Sequence, residues 1–236
     1  MIPKIVHHTT KSGQLDIYEQ RLLAKNKKTL KGWEFNIWSD EDNRMLVQRD
    51  FSEFLNVYDS ISKGVAKSDI ARCMYMYSIG GIYFDTDYEI QRPIPDTYLS
   101  QKCVLPVAKI VDGDIYLGNC VFLSEPGHRF WLDYIRDVFK NIDELTALEE
   151  NRIIDVTGPG GITKFYLEHR GDYSDIIFPE QTIFHPNVID HGLRVRSTKD
   201  TLGVHYCWGS WRSKKAYRKL ISKLIRNLQL TGLIFK

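Results

Sequence analysis

Two aspartates one residue apart, Asp85-Thr86-Asp87, close a short apolar run and carry the densest chemistry in the chain. Strand side chains alternate between faces, so Asp85 and Asp87 share one face while the strand holds. At the carboxyl end of a sheet strand they project into the crevice where open α/β sheets bind ligands. Two hard oxygen donors there suit Mg²⁺ or Mn²⁺. Such a cation can bridge a diphosphate and take up charge as a leaving group departs. The chain contains its own control, because Asp112-Gly113-Asp114 has the same spacing. That copy has glycine at its centre and no apolar strand in front, so it is expected to be a turn.

The elements before the first copy must aim it. Ser68 or Asp69 is read as the cap of a helix running to about Ser78, with Ile70, Cys73, Met74 and Tyr77 on its buried face. Asp69 and Arg72, three apart, lie together beside that face. Gly80-Gly81 stops the helix, and Ile82-Tyr83-Phe84 is a short strand that ends in the aspartates. Upstream, strands are expected over Ile2 to His7 and Trp33 to Trp38, a helix over Leu15 to Leu30, and a helix N-cap at Ser39-Asp40. That alternation opens an α/β domain with a parallel sheet. Downstream come a hairpin around Asp112-Gly113-Asp114, a strand over Asn119 to Leu123 and a helix over His128 to Asn141. Thr157 to Gly161 is expected as a loop opening a helix over Ile162 to Glu168. Its glycines would cradle an anion or form a plain turn.

The block from Ala66 to Asp87, with Ser68-Asp69-Ile70-Ala71-Arg72 and Gly80-Gly81-Ile82-Tyr83-Phe84-Asp85-Thr86-Asp87, resembles the DXD-containing sugar transferases of glycosyltransferase family 32. Ile2-Pro3-Lys4-Ile5-Val6-His7 is similar to that family's opening strand, and the likeness departs at Thr9-Thr10. More distantly the block is similar to the glucosylating clostridial toxins. The resemblance implies a GT-A fold: one Rossmann-like nucleotide-binding domain with a mixed, mainly parallel sheet, here residues 1–211, followed by a C-terminal helix in 212–236. It implies that Asp69 and Arg72 contact the donor sugar and that Asp85 touches ribose or sugar and reaches the metal through water. It implies that Asp87 ligates Mn²⁺ or Mg²⁺ directly. Arg72 offers a rigid fork of donors, and its other reading is a salt bridge with Asp69 within the helix.

Val204 to Trp211 resembles the same family's late His…Ser-Trp motif, which makes His205 a third metal ligand or a diphosphate contact. Ser210 and the Trp211 indole can donate to phosphate. Asn119 faces a sugar or is structural. The other six histidines lack comparable context, His7-His8 being the nearest rival at the end of the first strand. The resemblance further implies a UDP- or GDP-sugar donor, a saccharide or lipid-linked acceptor, retention at the anomeric carbon, and a role in capsule or lipopolysaccharide assembly.

Composition narrows the alternatives. In 236 residues, 43% hydrophobic, a single domain with a large core is expected. From Arg212 to Lys236 there are eight Lys or Arg and no acid, leaving 24 basic and 30 acidic residues before it. Leu220, Ile221, Leu224, Ile225 and Leu228 form a stripe on this basic tail. It reads either as an amphipathic helix on an anionic membrane or as a terminal helix packed on the core. The four cysteines show no metal-ligand spacing, and three sit in apolar runs as small hydrophobes in a reducing compartment. No secretory signal or membrane-spanning run is apparent, so a cytoplasmic protein, peripheral on the inner membrane face if the tail binds lipid, is expected. No nucleic-acid-binding module is recognised. Two rivals remain: a haloacid-dehalogenase-like phosphatase, with the first Asp as nucleophile, and a non-catalytic carbohydrate-binding protein. The first normally carries its Asp-x-Asp on the first strand and continues to Thr or Val where this chain has Glu89.

Overall fold

The computed structural model describes residues 1–140, 142–189, 194–209 and 216–231. Strand β1 (Ile5–Thr9) leads to helix α1 (Ile17–Thr29), whose start is fixed by a capping box between the N-cap Asp16 and Glu19. Strand β2 (Glu34–Trp38) returns parallel to β1, from Ile5 opposite Glu34 to Thr9 opposite Trp38. Ser39 caps α2 (Asp40–Asp50) as expected, and α3 (Leu55–Ser60) follows.

Helix α4 (Gly64–Ser78) begins earlier than its capping residues suggest. Lys63 is the N-cap, so Ser68 and Asp69 lie in the second turn, and the Ser68 hydroxyl donates back to the Gly64 carbonyl. The reason is packing. Ala66 is buried in register with Ile70, Cys73 and Met74, so helix at Gly64 extends a stripe already in the core. The helix stops at Gly80 and Gly81, whose φ values are +69° and +99°. A Cβ on Gly81 would meet the Ile5 carbonyl oxygen at 2.5 Å. This close approach lets β3 (Gly81–Phe84) lie directly on β1.

Next come β4 (Tyr88–Ile90), α5 (Asp96–Leu99), β5 (Cys103–Val104) and the hairpin β6 (Val107–Val111) and β7 (Asp114–Leu117). They are followed by β8 (Val121–Ser124), α6 (Arg129–Lys140), α7 (Ile142–Thr146) and α8 (Ile153–Val156). Helix α9 (Pro159–Glu168) also starts early, because Pro159 occupies its first turn, where proline's fixed φ is already helical. The expected loop glycines Gly160 and Gly161 are therefore helical. The chain continues through β9 (Ile176–Ile177), α10 (Gln181–Phe184), the pair β10 (Asn187–Ile189) and β11 (Arg194–Arg196), β12 (Gly203–His205) and α11 (Ala216–Thr231).

The main sheet runs β2-β1-β3-β8-β5-β9, with β8 antiparallel to both neighbours and the other pairs parallel. The sheet is thus mixed and mainly parallel. Alternation along β3 divides the core, Tyr83 facing the cluster with Tyr75, Phe122 and Trp131, and Ile82 and Phe84 facing the cluster with Tyr88, Val104 and Leu123. Each such side chain contributes roughly 1.5–3 kcal/mol on burial. A third cluster joins Leu22 of α1 to Val204, Tyr206, Trp208 and Leu230 of α11. The Arg226 guanidinium lies 4.7 Å from the Trp208 ring centre and its Nη1 2.9 Å from Asp16. Among the described residues no helix is long and apolar enough to cross a membrane.

Candidate active site

The Asp85-Thr86-Asp87 turn begins while the chain is still held by the sheet: the Asp85 N–H donates to the Cys120 carbonyl at 2.9 Å. The Tyr88 N–H then donates to the Asp85 carbonyl at 3.0 Å. Thr86 turns away and its hydroxyl donates to Glu19 Oε1 at 2.7 Å, leaving the two carboxylates to act together. Strand β4 pairs antiparallel with β12, Tyr88 opposite His205, and this ribbon brings a histidine 118 residues later in the chain to the aspartates. His205 Nε2 lies 3.0 Å from Asp87 Oδ1 and 3.6 Å from Asp85 Oδ2. The Trp208 N–H donates to Asp87 Oδ2 at 2.6 Å, and the Tyr206 N–H to the Asp87 carbonyl at 3.0 Å. Burial disfavours charge on both partners. Even so, His205 and the Trp208 N–H hold Asp87 below the usual carboxylate range. The Cys120 sulfur and Asp87 likewise hold His205 well above the ordinary histidine value against the burial.

Helix α4 reaches the same point through Arg72. Its Nη2 lies 3.1 Å from Asp69 Oδ1 and its Nη1 3.1 Å from Asp85 Oδ1, so one guanidinium spans both motifs. Arg72 also donates to the Asn119 carbonyl and stacks 4.6 Å over the Tyr83 ring, whose hydroxyl donates to Asp85 Oδ1 at 2.6 Å. Asp69 is buried. Besides Arg72 it accepts from the Asn119 amide at 3.0 Å and the Thr157 hydroxyl at 3.1 Å. Burial pushes the Asp69 carboxyl up to about 7, with Arg72 pulling the other way. The salt bridge within the helix is therefore formed, and both Asp69 oxygens are engaged by the protein. These groups open on a cavity of about 850 Å³, also lined by Thr9, Lys11, Asp40, Ile154, Gly158 and Pro159. That volume lies in the range of cofactor-sized sites.

Residues 16–105 match the profile of a family described as a glycosyltransferase sugar-binding region containing the DXD motif. This segment belongs to that family. Among curated proteins, inositol phosphoceramide mannosyltransferase 3 of Schizosaccharomyces pombe is 30% identical over 96 residues, 39% of this chain and 26% of the relative. A mannosyl phosphorylinositol ceramide synthase of Saccharomyces cerevisiae is 23% identical over 170 residues, covering 72% of this chain and 43% of the relative. An uncharacterized glycosyltransferase of Acanthamoeba polyphaga mimivirus is 27% identical over 225 residues, covering 89% of this chain and 84% of the relative. The chain spans less than half the length of the yeast relatives. The solved PaToxG glycosyltransferase superposes with a TM-score of 0.53 at 15% identity, over 72% of this chain and 71% of that one. The fold is GT-A.

Around the two aspartates the donor types suit a divalent cation. His205 Nε2 lies within 3.6 Å of a carboxylate oxygen of both Asp85 and Asp87, and oxygen donors with one imidazole suit Mn²⁺ or Mg²⁺. Of the residues singled out in the sequence, Asp69, Arg72, Asp85, Asp87, Asn119 and His205 all line the cavity. Ser210 and Trp211 lie outside the described residues. His7 and His8 are buried beneath the site, hydrogen-bonded to the Gly80 and Phe84 carbonyls. Sequence reasoning missed Tyr83, Thr157, Glu19 and Cys120 as partners of the site. Cys120 was read as a small hydrophobe; its place beside Asn119, at the start of the strand paired with β3, was the signal to follow.

Proposed function

We propose that the chain transfers a hexose, with retention, from a UDP- or GDP-sugar to a saccharide or lipid-linked acceptor, using Mn²⁺ or Mg²⁺. One observation carries this reading: a single guanidinium bridges Asp69 and Asp85 while His205 lies between Asp85 and Asp87, all facing a nucleotide-sugar-sized cavity. Asp87, Asp85 and His205 would hold the cation, which supplies positive charge against the donor's diphosphate. The chain's own residues do the rest. The Trp208 N–H and the β4–β12 ribbon fix Asp87 and His205. Arg72, locked by Asp69 and stacked on Tyr83, presents a fixed cation to the leaving group, so little reorganisation is needed as charge develops. In a front-side displacement the departing phosphate oxygen takes the acceptor hydroxyl proton, which gives retention without a protein nucleophile.

The names of the yeast relatives, mannosyl transfer to inositol phosphoceramide, support a mannosyl donor and an acceptor presented at a lipid surface. The basic helix α11 is compatible with peripheral attachment on the cytoplasmic side, with Lys223 and Leu224 exposed while Gln229 and Leu230 pack inward. Capsule or lipopolysaccharide assembly is the setting implied by the sequence resemblance.

The test is release of nucleoside diphosphate from a panel of UDP- and GDP-sugars, with soluble and lipid-linked acceptors, in Mn²⁺ or in chelator. Expected is Mn²⁺-dependent release, with the donor's anomeric configuration retained in the product. Release of inorganic phosphate instead would assign a phosphatase. No turnover of any donor would leave a binding protein.

A further inference from the structure

One buried thiol lies against this site. Cys120 precedes β8 and faces Asp85 across the β3–β8 pair, its carbonyl accepting from the Asp85 N–H at 2.9 Å. Its Sγ, a carboxylate oxygen of Asp85 and a ring nitrogen of His205 all lie within 4.8 Å of one another. Among the described residues this is the one group of three His, Cys, Asp or Glu side chains so arranged. Behind the sulfur is the His185 ring, Nδ1 at 3.8 Å and Nε2 at 4.0 Å. Of the other buried thiols, Cys73 donates to the Asp69 carbonyl within its own helix and Cys103 lies on strand β5; neither is part of such a group.

A thiolate, an imidazole and a carboxylate are the ligands of zinc-class cations, whereas magnesium-class cations take oxygen. We propose that Asp85, Cys120 and His205 form a site for a thiophilic divalent cation of the Zn²⁺ class, sharing two ligands with the Asp85–Asp87–His205 set. The two sets cannot be filled at once, because Asp85 and His205 serve both. On binding, the sulfur–metal bond replaces the S–H bond and the nitrogen–metal bond replaces an N–H of the His205 imidazolium; both protons leave to solvent, while the metal stays divalent. A soft cation therefore displaces the hard one and stops turnover. The thiol site stands on its own geometry, and only the competition rests on the function proposed above.

Cadmium titration of the full chain, without nucleotide or sugar, tests it through the ultraviolet thiolate-to-metal charge-transfer band, which carboxylate and imidazole ligands do not give. The wild type should show a saturable band, lost in Cys120→Ser and kept in Cys207→Ser. Cys207 is the control because its Sγ lies 3.3 Å from His205 Nδ1 on the exposed side. His205→Ala, which keeps the thiol, should weaken cadmium binding by more than about tenfold. Excess Mn²⁺ added to the wild type should suppress the band, a reading that needs no variant. A wild type without the band, a band surviving in Cys120→Ser, or one lost only in Cys207→Ser overturns the assignment. A band indifferent to saturating Mn²⁺ overturns the shared-ligand competition. If the band behaves as expected while no nucleotide sugar is turned over, the thiol site stands and the glycosyl-transfer reading falls.

Discussion

The chain carries Asp-x-Asp twice, and the two copies have opposite fates. Asp85 and Asp87 end a fully buried strand and are held by Arg72, Tyr83, His205 and the Trp208 N–H. Asp112 and Asp114 sit at the tip of the β6–β7 hairpin, where Asp112 and Gly113 both have positive φ, +52° and +89°, as a tight hairpin turn requires. There the partner of Asp114 is Arg170, and both side chains are 56% exposed. Spacing is identical; what differs is the dielectric and the donors supplied by distant elements. Low dielectric strengthens the first constellation and makes each missing partner expensive, while water levels the second.

The largest way to break that contrast is Arg72→Ala. It leaves Asp69 buried without its cation and Asp85 without its bridge, and is expected to cost about 3–5 kcal/mol. Urea denaturation with unchanged m-value would measure it; a loss below about 1 kcal/mol would show the network to be dispensable. Next comes Asp87→Asn, which keeps shape and removes charge. Turnover in Mn²⁺ is expected to fall on the order of 100-fold or more, with a smaller loss of stability than in Arg72→Ala. Asp112→Asn should leave turnover where it was, and equal losses in the two variants would erase the distinction between the copies.

How much of this was legible follows from how local each feature is. The Gly80-Gly81 stop, the apolar strand and the aspartates are adjacent, so their placement could be read directly. Asp69 and Arg72 are three apart on one helix, and their pairing followed from helix geometry. His205 could be marked by resemblance, but the β4–β12 ribbon brings it to Asp87, 118 residues away in the chain, and leaves no local pattern. The Thr157 bond to Asp69, spanning 88 residues, is hidden for the same reason. The early starts of α4 and α9 show tertiary burial and a proline in the first turn overriding the cap residues that the eye selects.

The buried floor under the first copy sharpens the comparison through pH. His7 Nε2 donates to the Gly80 carbonyl at 2.8 Å, its Nδ1 accepting from Trp38 Nε1 at 3.1 Å, and His8 Nδ1 donates to the Phe84 carbonyl at 2.7 Å. Two neutral rings thus pin both ends of β3. Burial lowers both from 6.5 to about 4, and His185 to about 3. The unfolded chain therefore binds these protons first, so stability is full above 6.5 and is lost as pH falls toward 4. Asp69, raised to about 7, has the opposite sign and offsets about one histidine. The net expectation is a loss of roughly 1–3 kcal/mol between about pH 6 and about pH 5. Denaturation midpoints that stay level or rise over that interval would show that these rings are charged in the fold.

The smallest effect is expected at the second copy, and it completes the contrast. Asp114→Asn removes a pair that both solvent and salt already screen, so the change should lie within about 0–1 kcal/mol and shrink further in high salt. The hairpin is set by backbone: the positive φ values of Asp112 and Gly113 and the antiparallel pairing of Val111 with Asp114 do not need the charge. A loss comparable to that of Arg72→Ala, measured by the same denaturation, would mean that the tip is buried against something in solution. Its Asp-x-Asp would then have to be read as a site rather than a turn.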